Sequence, residues 1–165
     1  MKNITYDIIA NINPKLAKEL KISKDYNEYI NNFVTTYLDI ATYKKDILSL
    51  LIKSGIYDDM QLRRFACWCA RKHWHDLDTY HKECIDVAEW YTIGRMTDEQ
   101  MTAVKEYAAR NHNINMPKSD ANVSARACCT IDAKQAAHRS ALASIAYSNN
   151  TTAMHEVINY LITNI

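Results

Sequence analysis

Glycine and proline are almost missing from this chain, at two residues each among 165. An antiparallel β protein of this size needs many tight turns, and tight turns draw on those residues. The scarcity therefore excludes most β architectures. It also leaves no glycine-rich loop to cradle a phosphate or a dinucleotide. The two glycines that exist stand where helices should stop. Gly55 follows the apolar ladder Ile47, Leu48, Leu51, Ile52, and Gly94 follows Ile85, Ala88, Tyr91. Both suit the left-handed residue that closes a helix. Pro14 after Asn13 suits a first helical turn behind its cap. The fold class expected is all-α.

Other absences narrow the setting. No apolar run approaches the ~20 residues that a membrane span requires. The chain does not open with the charged-then-apolar pattern of a secretory signal. Five cysteines, Cys67, Cys69, Cys84, Cys128 and Cys129, are an odd number with an adjacent pair. They do not read as a disulfide framework. A reduced, cytoplasmic protein is expected. Net charge is absent too, at +1 overall, so no global field points to nucleic acid or membrane.

The hydrophobic content of 48% can bury one good core. Apolar periodicity and caps give a single bundle of about seven to eight helices. Residues 1–57 read as an N-terminal helical extension packed on a core of residues 58–165, within one structural domain. Tyr26, Ile30, Phe33, Tyr37 and Ile40 share one face of the extension. Asp58 or Asp59 should cap a helix through His75, and Asp78 or Thr79 one that ends at Gly94. Thr97 and Gln100 form a capping box. A long alanine-rich helix is expected over about Asp120–Tyr147, and a last one over Thr151–Ile162.

The one charge asymmetry is local. Arg63, Arg64, Arg71 and Lys72 lie in residues 61–75 with no acid among them, a local +4. On the next helix Asp86 and Glu89 are three apart. They could do acid–base work, but arginine's fork suits carboxylates, so an ion-pair network of Arg64 or Arg71 with Asp86 or Glu89 is preferred. Trp74 and Trp90 are expected to be largely buried in this hairpin.

Cys69 with His73, and His81 with Cys84, are spaced to share helix faces, and a hairpin could gather them into a zinc site. No C-x2-C knuckle supports that arrangement, and Cys69 and Cys84 both sit in apolar stripes. Core cysteines are the preferred reading, with no metal and no cofactor. Cys67 and Cys69 near Arg71 and His73 raise the idea of an activated thiol. A mid-helix cysteine in an aromatic stripe, without an oxyanion hole, does not make an enzyme.

The run Leu62-Arg-Arg-Phe-Ala-Cys-Trp-Cys-Ala-Arg71, then Trp74-His75, then Ala88-Glu89 before Gly94 and Thr97 opening an alanine-bearing helix, resembles small helical immunity proteins of bacterial toxin systems. Similar segments occur in bacteriophage proteins. The resemblance spans about Leu62–Tyr147. It implies a non-enzymatic protein that binds and neutralises a toxin or effector, or, in a phage, a host defence protein. Tryptophan and arginine are enriched in interface hot spots. Arg63, Arg64, Trp68, Arg71, Lys72 and Trp74 are accordingly the partner-binding candidates. A different class, a metal- or nucleic-acid-binding regulator using residues 62–84, is the alternative. Neutral net charge counts against nucleic acid. Self-association stays open.

Overall fold

A computed structural model of the chain describes residues 48–49, 51–53, 57–111, 119–148 and 151–164. Most of the expected extension, with Pro14, Gly55 and the tyrosine-lined face, lies outside the described residues. Among the described residues from 59 on, six α-helices follow one another: α1 (Asp59–Arg71), α2 (Thr79–Thr92), α3 (Asp98–Arg110), α4 (Asp120–Cys128), α5 (Ala133–Ser148) and α6 (Thr151–Asn164). A 3-10 turn at Trp74–Asp76 joins α1 to α2. Among the described residues there is no strand. The all-α expectation holds.

Helix starts follow from side-chain chemistry. Asp58 accepts from the Gln61 amide at 2.7 Å, while Gln61 Oε1 takes the Asp58 amide at 2.9 Å. Asp78 caps α2 through the His81 amide, and Thr97 with Gln100 makes the expected box on α3. Each cap satisfies donors that a helix start leaves orphaned. Gly94 closes α2 at φ 71°, with Arg95 N–H on the Trp90 carbonyl and Gly94 N–H on the Tyr91 carbonyl, both at 3.0 Å. That is the left-handed cap expected of it. The first helix stops at Arg71, not His75, because the backbone tightens into the 3-10 turn.

The alanine-rich stretch is helical, but as two helices. Thr130-Ile131-Asp132 interrupts it: Asp132 Oδ1 accepts from the Gln135 amide at 2.8 Å and starts α5 afresh. Splitting there lets α4 and α5 fold against each other and against α1, in the most extensive helix packing among the described residues. Small residues make the approach close. Ala66 on α1, Ser124 on α4 and Ser140 on α5 are all at or near zero exposure. Ser140 Oγ donates to the Ala66 carbonyl at 2.8 Å and also lies 2.8 Å from Ser124 Oγ. The hydroxyls satisfy one another where larger side chains would hold the helices apart.

Helix α1 is the axis of the bundle and is buried on nearly every side. One face (Leu62, Phe65, Cys69) packs with Leu48, Leu51 and Ile52, with alanines of α5, and with Met154, Val157, Ile158 and Leu161 of α6. The other (Ala66, Cys67, Ala70) packs with α2, α3 and α4 around Ile85 and Met101. Leu48, Leu51 and Ile52 thus join the same core as residues beyond 58.

Candidate interaction surface

The four cations of residues 61–75 go to four different environments. Arg63 is 3% exposed, which removes it from the partner-binding set. Its Nη1 donates to the Cys128 and Thr130 carbonyls, both at 2.8 Å, and its Nη2 to the Ile131 carbonyl at 2.7 Å. The Tyr91 ring lies 4.9 Å from the guanidinium carbon. The buried charge is thus held by the carbonyl end of α4, where a helix dipole is negative. Arg64 is exposed and forms no ion pair among the described residues, so its expected pairing is not made.

Arg71 makes the expected network alone. It reaches Glu89 at 2.8 and 2.6 Å and Asp86 at 2.7 Å, all from α1 to α2. Its guanidinium also lies 4.1 Å from the Trp74 ring centre. Lys72 pairs with Glu156 of α6 at 2.5 Å and sits over Trp68, which stacks on Tyr160 at 3.8 Å. Two of the four cations are therefore neutralised and one is buried. The +4 of the sequence does not survive as a phosphate-binding track, and the nucleic-acid reading loses its basis here.

The proposed ligand cluster is dispersed. Cys69 and Cys84 belong to different core clusters. His73 turns to Ser144 Oγ at 2.7 Å, and His81 Nδ1 to Asp78 at 2.7 Å. Among the described residues no group of three or more such side chains could hold a metal ion. All five cysteines are buried, and burial pushes the Cys69 and Cys128 thiols well above their usual range. Neither thiol is a ready nucleophile.

The tryptophans correct the expectation of burial. Trp74 is only partly buried, beneath Arg71 and with Lys82 5.5 Å from its ring centre. Trp90 is 44% exposed, and Ile93, three residues on, is 55% exposed. The sequence carried the signal. The buried residues of α2 are His81, Cys84, Ile85, Val87, Ala88 and Thr92, centred on Cys84, Ile85 and Ala88, and Trp90 stands two residues past Ala88, on the other side of the helix. Trp90 and Ile93 continue the outward face that begins at Asp86, where Arg71 bonds. Met60, 49% exposed, and Arg64 lie one turn apart on the outward side of α1. The candidate surface is therefore Arg64, Arg71, Trp74, Trp90 and Ile93, without Arg63.

Two histidines give the fold a pH dependence. Burial holds His73 below its ordinary 6.5, and burial, then Lys53 and Arg139, hold His138 below it as well. The unfolded chain binds these protons more readily, so the stabilisation is complete above about pH 6.5 and is lost as pH falls through the depressed folded values. Calorimetry should show a lower melting temperature at pH 5 than at pH 7.5. The drop should shrink in a His73→Gln, His138→Gln double variant. A parent protein with a flat profile over that window would contradict this account.

No protein-family model, curated protein or solved structure matches the chain. No helix among the described residues is long and apolar enough to cross a membrane.

Proposed function

We propose that this is a non-enzymatic binding protein that sequesters and neutralises another protein, a toxin or effector, through the outward face of α1 and α2. The observation that carries the proposal is the exposed pair Trp90 and Ile93 on α2, the helix whose Asp86 and Glu89 hold the Arg71 of the Arg71–Trp74 stack. Large apolar side chains grouped on a surface next to an ordered arginine are the composition of interface hot spots. The carboxylates of Asp86 and Glu89 hold the guanidinium in place, so little side-chain entropy is left to lose on binding. The resemblance of residues 62–147 to immunity proteins points the same way. In a phage setting the same surface would serve against a host defence protein.

The test is affinity capture from the lysate of the organism that carries the gene, read by mass spectrometry. The parent chain should enrich a specific protein, and a Trp90→Ala, Ile93→Asp variant should lose it while melting like the parent. Enrichment of the same protein by the double variant, or of no protein by the parent, would count decisively against the proposal.

A further inference from the structure

A second surface, on the side of the bundle formed by α3, α4 and α5, has a different character. An open groove there has a volume of about 490 Å3, within the range of about 300–1,000 Å3 typical of ligand clefts. Its floor is apolar, with Val123, Leu142 and Ala143 among the lining residues, and its rim carries Lys105, Arg126 and Arg139. Asp120 is the single acid among the described lining residues.

None of these three cations forms an ion pair among the described residues, whereas Arg71, Lys72 and Arg110 all hold carboxylates. Lys105 donates instead to Thr130 Oγ1 at 3.1 Å. Arg139 is also a wall of a second cleft of about 280 Å3, which adds Lys53 and Lys134 and one acid, Asp132. That acid is already engaged as the cap of α5. Five cations and two acids thus line two adjoining clefts of a chain whose net charge is only +1. Like charges that hold no carboxylate among the described residues repel one another around an apolar floor, and an anionic occupant relieves that repulsion.

We infer that this groove receives an acidic amphipathic helix from a partner protein, its apolar side chains on the floor and its carboxylates on Arg126, Arg139 and Lys105. This goes beyond the proposal for the α1–α2 face and does not depend on it. A helix laid in a groove is the recognition mode that joins an apolar floor to a charged rim. A nucleic acid fits less well, because among the described residues no tryptophan, tyrosine or phenylalanine lines either cleft to stack on a base.

The probe is a fluorescein-labelled 21-residue peptide of about three heptads, with leucines on one helical face and glutamates on the other. It is titrated into the full chain and read by anisotropy. Binding should weaken with added salt. It should fall about tenfold or more in an Arg126→Glu, Arg139→Glu variant, and also in Val123→Asp, with circular dichroism and melting unchanged. A Trp90→Ala variant should bind the peptide as the parent does, so failure of the α1–α2 proposal and failure of this one are separable. Undiminished binding by the double arginine variant would overturn the inference. So would equal binding of a peptide with its leucines replaced by serine, or of a single-stranded oligonucleotide, since either would mean general attraction of polyanions. Absence of peptide binding at low salt would overturn it as well.

Discussion

Replacing Arg63 with methionine is expected to destabilise the protein by about 2–5 kcal/mol, although methionine fills much of the same space. The change removes the donors that hold the Cys128, Thr130 and Ile131 carbonyls. A buried acceptor left without a partner costs about 1–3 kcal/mol, and a hydrogen bond to a charged group contributes about 1.5–3 kcal/mol. Part of the loss is recovered by water, because Ile131 is 45% exposed and can rehydrate, whereas Cys128 has no access to solvent. For a chain of this length about 1 kcal/mol moves the melting temperature about 2–4 °C, so a fall of about 4–20 °C should be seen by calorimetry. Arg63→Lys keeps the charge but loses the fork, and should fall between the parent and the methionine variant. Amide exchange at residues 129–133 should quicken in both, since Arg63 is what ties the α4–α5 turn to α1. A methionine variant that melts within a degree or two of the parent, with unchanged exchange at that turn, would show that the carbonyls find other partners.

Arg63 also marks where the sequence stops being informative. The residues that set local structure were legible: scarce glycine and proline gave the all-α class, and the Thr97–Gln100 box and the left-handed Gly94 stand where local chemistry requires them. Arg71 with Asp86 and Glu89 was legible because the partners sit on consecutive helices. Arg63 was not, because its acceptors are backbone carbonyls 65–68 residues away, which carry no residue-type signal at all. In sequence it is one of four cations in a solvated-looking run. The break at Asp132 could have been read, since an aspartate three residues before Gln135 is itself a helix start, but the alanine content on both sides masked it. The groove cations Lys105, Arg126 and Arg139 come from three helices, and only the packing of α3, α4 and α5 brings them together.

The aromatic residues divide the same way, and their divergence is the second large expectation. Phe65 has zero exposure within the first core cluster and is the largest of the fully buried side chains among the described residues. Its ring lies 6.3 Å from Trp68 and 6.4 Å from Tyr160. Phe65→Ala should cost about 3–5 kcal/mol, through lost transfer energy and a cavity that α1, fixed on both faces, cannot collapse. That is a large part of the ~5–15 kcal/mol that holds a domain folded, so low soluble yield is a second expected sign. Trp74→Ala removes a half-buried ring and its cation contacts, and should cost less than Phe65→Ala. Trp90→Ala, on the open face of α2, should fall within about ±0.5 kcal/mol of the parent, as surface substitutions do. Chemical denaturation of the three variants orders them directly by midpoint at constant slope. If Trp90→Ala destabilised as much as Phe65→Ala, Trp90 would be a core residue of the folded chain in solution and could not be the anchor of a binding surface. If the order is Phe65, Trp74, Trp90, the least costly tryptophan to remove is also the one whose loss should abolish capture of a partner, which separates recognition from folding on a single helix hairpin.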